Sequence, residues 1–178
     1  MCVIATESFK GKALIEDRME LGEGPTFDAL SGTLYWFDIL GKSLCAYDVE
    51  AGVLTSHALP FLGSVLAIID EKRQLIASDQ GLFLRDSGGK LTAYAPIETK
   101  PENRSNDGRV HPSGALWIGT MSRTAETGAG AIYHVAGTTI TKMFNAVSIP
   151  NGICFSPDGS VGYFNDSKVN HMMRVELD

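Results

Sequence analysis

The sequence is poor in cysteine, in clustered basic residues and in long apolar runs. Its three cysteines, Cys2, Cys45 and Cys154, are odd in number and widely spaced, which argues against a zinc site and against a disulfide framework. A net charge of −6 without any basic cluster argues against nucleic acid and anionic membranes as partners. No stretch approaches the roughly 20 apolar residues of a membrane span, and the apolar start at residues 1–5 is too short for a signal peptide. We therefore expect a cytoplasmic protein without nucleic-acid or membrane partners.

Helical periodicity is also almost absent. Hydrophobic residues make up 44 % of the chain and charged residues 20 %, which is the composition of an ordinary globular domain. Short runs with strand character recur instead, for example at residues 33–37, 74–78 and 131–135. Turns rich in glycine, proline, serine and aspartate separate these runs. The pattern predicts an all-β chain of short antiparallel strands.

The turns recur with a long period. Asp28, Asp70, Pro112 and Pro157 lie 42, 42 and 45 residues apart, and each begins a tight turn that an apolar strand follows. Four strands in every ~40–45 residues are typical of a β-propeller blade, whereas a sandwich with coincident turns is the alternative. We expect one partial propeller domain over residues 1–178, with about three and a half to four blades. Residues 13–19 are predicted to be a lone strand that closes the last blade of a complete ring.

Residues 103–114 form the densest polar cluster of the chain. An arginine, two asparagines and an aspartate crowd into a few residues, a pattern that predicts neither a helix nor a regular strand. A clean apolar strand follows at residues 115–120, and polar loops on rigid strands commonly display binding groups. The alternative is an ordinary solvated turn.

Four motifs together resemble the senescence marker protein/gluconolactonase/luciferin-regenerating (regucalcin-like) family. They are Gly-Glu-Gly-Pro at 22–25, Asn-Asp-Gly-Arg-Val at 106–110, Gly-Thr-Met at 119–121 and Pro-Asn-Gly at 150–152. The resemblance covers essentially the whole chain and implies a six-bladed propeller with a divalent metal at the mouth of its channel. The chain therefore resembles a truncated N-terminal part from which the C-terminal blades are missing, although a minimal four-bladed ring is the alternative.

The resemblance also implies the ligands of the metal. Glu23 and Asn151 match the first two family ligands, and their hard oxygen donors suit Ca²⁺, Mg²⁺ or Mn²⁺ and are also accepted by Zn²⁺. The third ligand, an aspartate that also serves as the acid–base group, would lie beyond Asp178. Asp166 belongs to a different family motif and is not a substitute for it. Taken alone, each of the two ligands reads as an ordinary loop residue.

Substrate contacts follow from the same resemblance. Arg104 and Asn106 match positions that contact a polyol, and Asp107 would hold one of them in place or approach the metal through water. The family places a glutamate soon after Gly-Thr-Met, where this chain has Thr124, and Glu126 is a candidate replacement.

The activity implied by the resemblance is the metal-dependent hydrolysis of a sugar lactone, such as gluconolactone, to the aldonic acid. Two alternatives are a calcium-binding regulatory propeller without turnover and a noncatalytic propeller fragment. The four histidines lack ligand spacing, and the two tryptophans, Trp36 and Trp117, are expected to pack within blades. The sequence leaves the sugar, the metal and the oligomeric state open.

Overall fold

The computed structural model describes residues 8, 10–98 and 100–177, so Cys2 and residues 1–5 lie outside the described part. Fifteen strands form within it, and none of the described residues belongs to a helix. The first two sheets contain β1 (Gly22–Asp28), β2 (Thr33–Asp38), β3 (Ser43–Asp48), β4 (Val53–Ala58), β5 (Gly63–Asp70), β6 (Arg73–Ser78), β7 (Gly81–Asp86) and β8 (Leu91–Ala95). The others contain β9 (Asn103–Val110), β10 (Leu116–Ser122), β11 (Gly130–Ala136), β12 (Thr139–Val147), β13 (Pro150–Phe155), β14 (Val161–Asp166) and β15 (His171–Glu176).

The strands make four antiparallel sheets in chain order. Strands β1–β4, β5–β8 and β9–β12 form three four-stranded sheets, and β13–β15 form a three-stranded one. The first strand of each sheet packs near the first strand of a neighbouring sheet, as β5 and β13 do against β9. This arrangement is a β-propeller of four blades whose inner strands surround a common axis. The all-β propeller expected from the sequence is confirmed.

The hydrophobic core lies between consecutive blades. One cluster joins blades 1 and 2, a second joins blades 2 and 3, and a third joins blades 3 and 4. Their central side chains include Phe37 and Phe61 in the first, Ile118 in the second, and Trp117 with Ile153 in the third. The two middle sheets therefore bury both faces against neighbouring blades, which explains why β6 and β10 contain continuous apolar runs rather than strictly alternating residues. Trp117 packs between blades as expected, whereas Trp36 is only half-buried.

One local prediction stays untested and another is wrong in part. Residues 13–19 pair with no described strand, and Leu14 is 56 % exposed. A lone strand is not stable without a partner, and the last blade of a complete ring, its expected partner, is not among the described sheets. Residues 103–110 form the inner strand β9, because neighbouring blades satisfy its polar side chains. The strand is not regular, since its register against β10 shifts between Gly108 and Ser105. The turn after it is confirmed by the hydrogen bond from Gly114 N to His111 O, 2.8 Å.

The described cysteines, Cys45 and Cys154, are both free thiols. Within the described residues, no helix is long and apolar enough to cross a membrane.

Candidate functional site

At one end of the propeller, aspartates hold the inner strands in place. Asp38, Asp79 and Asp166 close the second strand of blades 1, 2 and 4. Each carboxylate accepts a backbone N–H from the segment before the inner strand, namely Leu21, Leu62 and Ile149, at 2.9–3.0 Å. Charge-assisted bonds of this kind are stronger than neutral ones. Asp166 therefore holds the segment before the inner strand of blade 4 in place.

Glu23 and Asn151 occupy matching places in blades 1 and 4. Each is the second residue of its inner strand, and a β-bulge follows it directly. The next residue is a glycine with a left-handed backbone, with φ of 63° at Gly24 and 64° at Gly152. Such a bulge turns one side chain out of the regular alternation of the strand. The shared geometry explains why a glycine follows both predicted ligands.

Asn106 joins blades 3 and 4 through a series of hydrogen bonds. Its Oδ1 accepts a bond from Arg104 Nη1 at 2.8 Å, and its Nδ2 donates to Pro150 O at 2.9 Å and to Asn151 Oδ1 at 3.2 Å. Asn151 in turn donates from Nδ2 to Ser167 Oγ at 3.0 Å. A predicted substrate contact and a predicted metal ligand are thus in direct contact.

Asp107 supports the bulge that carries Asn151. Its Oδ2 accepts the backbone N–H of Ile153 at 2.7 Å rather than holding Arg104 or Asn106. Burial raises the pKa of the Asp107 carboxyl, and the N–H groups of Ile153 and Gly108 oppose that shift. The side chain therefore acts on the ligand loop of blade 4 through the backbone.

Arg104 is the buried cation of the site, with 8 % of its surface exposed. Burial lowers the pKa of its guanidinium, and the carboxylate of Glu23 opposes that shift. Glu23 is thus close enough to act electrostatically on Arg104. Within the described part of the chain, however, no hydrogen bond or ion pair joins Glu23 to the other four predicted site residues.

Two of the predicted site residues offer oxygen ligands that suit a divalent cation. Glu23 offers a half-buried carboxylate, and Asn151 Oδ1 accepts only the long bond from Asn106. Both are hard oxygen donors on bulges that aim them away from the strand ladder. The described residues contain no group of three or more histidine, cysteine, aspartate or glutamate side chains that could hold a metal by themselves. The chain therefore supplies two fitting oxygen ligands.

Two charged residues at the same end were missed by sequence reasoning. Arg123 follows β10 and forms an ion pair from Nη2 to Asp79 Oδ2 at 2.7 Å. The sequence position of Asp79 could have indicated its role, because it stands at the end of the second strand of its blade, as Asp38 and Asp166 do. Arg123 had no such signal. The Thr124 hydroxyl bonds to Ser122 Oγ at 2.9 Å, and Glu126 is exposed.

Comparison with known proteins agrees with this architecture. Residues 21–178 match the family model described as SMP-30/Gluconolactonase/LRE-like region, and the chain belongs to this family. A Rhizobium meliloti protein, provisionally named a sugar lactone lactonase, is 60 % identical over 96 % of this chain and 58 % of its own length. The 6-deoxy-6-sulfogluconolactonase of Pseudomonas putida is 31 % identical over 94 % of this chain and 58 % of its own length.

A solved structure shows the same fold. It is from Agrobacterium tumefaciens and is described as a calcium-binding protein, regucalcin. It superposes with a TM-score of 0.93 and 62 % identity, over 96 % of this chain and 58 % of its own. The chain thus spans less than two thirds of the length of each of these relatives.

Proposed function

We propose that this chain carries part of the site of a metal-dependent lactonase, which hydrolyses a sugar lactone such as gluconolactone to the aldonic acid. The observation that carries the proposal is the direct series of hydrogen bonds from Arg104 through Asn106 to Asn151. It links a donor suited to polyol oxygens with a ligand suited to a hard cation. The names of the Rhizobium and Pseudomonas relatives support the same reaction class.

Arg104 is the residue best placed to bind the substrate. Its Nη1 donates to Ser105 O at 2.9 Å and to Asn106, which leaves the N–H groups of Nε and Nη2 for the substrate. These donors suit the ring and carbonyl oxygens of a lactone. Both N–H groups of the Asn106 amide bond to protein oxygens, Pro150 O and Asn151 Oδ1. The main role of Asn106 is therefore to orient Arg104 and Asn151.

Glu23 and Asn151 would hold the cation, which we propose to be one of Ca²⁺, Zn²⁺, Mg²⁺ or Mn²⁺. A bound divalent cation withdraws electron density from a carbonyl group and stabilises a developing oxyanion. The family resemblance implies an acid–base aspartate that no described residue matches. The proposal therefore assigns that role to no described residue.

A calcium-binding protein without turnover is the second candidate. The description of the Agrobacterium structure as a calcium-binding protein, regucalcin, supports it. The same two oxygen ligands would serve both functions, so only measurements of binding and of turnover together separate them.

The test measures metal binding and hydrolysis on the same samples. Thermal unfolding is followed with EDTA and with each cation, and acid release from glucono-1,5-lactone is followed in parallel. Both the stabilisation by a cation and the acid release should fall in the Glu23→Gln variant, because a neutral amide is a weaker ligand than a carboxylate. Glu50→Gln, at an exposed turn of blade 1, is the control and should behave as the wild type.

The outcomes separate the candidates. Stabilisation by a cation without acid release supports the calcium-binding candidate over the lactonase. Acid release that EDTA and Glu23→Gln leave unchanged contradicts the metal-dependent reaction. If neither stabilisation nor acid release is observed, both candidates are wrong for this chain.

A further inference from the structure

Arg104 is a buried cation that lacks a carboxylate partner. Only 8 % of its surface is exposed, and its Nη1 bonds to two neutral oxygens. Among the described residues, no carboxylate oxygen lies within 4.0 Å of its guanidinium. The carboxylates of Glu23 and Asp79 act on the guanidinium only from a greater distance, and a buried charge without a counter-charge in contact is costly. The site thus contains a desolvated guanidinium whose free N–H groups are available to an anion.

Arg123 is a second cation at the same end of the axis. Met121 and Ser122 of β10 pair with Arg104 and Asn103 of β9, and Arg123 N continues the contact with a bond to Glu102 O at 2.9 Å. The positive charge of Arg123 lowers the pKa of Arg104, as burial does, whereas the carboxylates of Glu23 and Asp79 raise it. The two guanidinium groups therefore belong to one rim of the propeller.

Asp79 orients Arg123 without covering it. Its Oδ1 accepts Leu62 N at 2.9 Å and its Oδ2 accepts Arg123 Nη2 at 2.7 Å. The Asp79 side chain is only 8 % exposed, whereas that of Arg123 is 45 % exposed. Asp79 accepts one of the five N–H groups of the guanidinium, and the exposed part of the side chain can reach a ligand. Neighbouring Thr124 and Ser122 bond to each other and add no negative charge.

We propose that Arg104 and Arg123 form a subsite for an anionic substituent of the substrate, so that the site prefers an acidic sugar lactone to a neutral one. This inference rests on the proposed lactonase function and names its substrate class. Guanidinium groups recognise planar carboxylates by paired, charge-assisted hydrogen bonds. One buried arginine and one partly exposed arginine provide such donors.

The test compares two lactones that differ in one terminal group. D-Glucaro-1,4-lactone carries a carboxylate where D-glucono-1,4-lactone carries a hydroxymethyl group. We expect kcat/KM for the glucarolactone to exceed that for the gluconolactone by about tenfold at low salt. In Arg123→Gln the ratio of the two values should fall to near one, and rising ionic strength should shrink it in the wild type.

Two further variants control for loss of charge alone and for removal of an arginine outside the site. Arg123→Lys keeps a positive charge near Asp79 and should retain part of the preference, although it loses the paired geometry. Arg73→Gln removes an exposed arginine that pairs with Asp70 outside the site, and should leave the ratio unchanged. Thermal unfolding of each variant reports whether it folds.

Binding is measured independently of turnover, by thermal unfolding with D-glucarate and with D-gluconate. Stronger stabilisation by glucarate, lost in Arg123→Gln, supports the subsite even if neither lactone is hydrolysed, an outcome that overturns only the lactonase proposal. Equal kcat/KM for both lactones overturns the subsite and leaves the lactonase standing. A ratio that Arg123→Gln does not change also overturns it, as does equal stabilisation by the two acids.

Discussion

The two glycines that follow the predicted metal ligands give a sharp test of the site geometry. Gly24 and Gly152 have nearly the same left-handed backbone, with φ of 63° and 64°. Their surroundings differ. A Cβ added at Gly24 would lie 2.3 Å from the carbonyl oxygen of Ser64, whereas a Cβ at Gly152 would meet nothing within 4 Å. The two alanine substitutions therefore share a backbone penalty but differ in packing.

The expected magnitudes follow from these two terms. A left-handed backbone costs a residue with a side chain roughly 1–2 kcal/mol, so Gly152→Ala should lower the free energy of unfolding by about that amount. Overpacking against backbone adds roughly 1–3 kcal/mol, so Gly24→Ala should lower it by about 2–5 kcal/mol in total. The contact with Ser64 lies between β1 and β5, and relieving it must move the two inner strands apart.

Equilibrium unfolding in urea measures the difference. Gly32→Ala is the control, since Gly32 also has a positive φ of 66° and no atom within 4 Å of an added Cβ. It should match Gly152→Ala. If Gly24→Ala is no more destabilising than these two variants, then β1 does not approach β5 as closely as described, and the placement of Glu23 beside it is wrong.

The remaining predictions concern the polar groups of β9. Asn106→Ala removes three hydrogen bonds at a side chain that is 7 % exposed, and should lower the free energy of unfolding by about 2–4 kcal/mol. Asn145→Ala, at an exposed position of β12, should change it by less than about 0.5 kcal/mol; equal effects would contradict the link between blades. Asp107 has a raised pKa in the folded state, so its carboxyl stabilises the protein below the unfolded pKa and loses that contribution as pH rises through the folded value. Asp107→Asn keeps an acceptor for Ile153 and does not ionise, so urea unfolding should show its stability improving relative to wild type as pH rises above the usual aspartate pKa of about 4; a difference that is independent of pH would contradict the burial of this carboxylate.

Part of the site could be predicted from the sequence because its residues stand in local motifs. Glu23 and Asn151 are each followed by a glycine, and the structure gives the reason, which is a bulge with a left-handed residue. Arg104, Asn106 and Asp107 lie within one short segment, so their proximity did not depend on the fold. The roles assigned to them remain predictions, since they come from the family resemblance and from the geometry.

Other features depended on contacts between distant segments. The partner of Asp107 is Ile153 in the next blade, and the partner of Arg123 is Asp79 in the previous one. The prediction that residues 103–110 lie in a loop failed for the same reason, since a polar strand is disfavoured locally and becomes stable only when neighbouring blades bond its side chains.

The sequence by itself determined the class of the fold. Its turns at a period of just over forty residues and its short apolar strands define propeller blades, because both signals arise from the local chain. Only the tertiary structure decided which polar groups meet at the axis. It brings Arg104 close to Arg123, leaves its guanidinium without a carboxylate partner among the described residues, and ties Asn106 to Asn151 across two blades. Packing of the blades sets these distances, and no pattern within a single blade contains them.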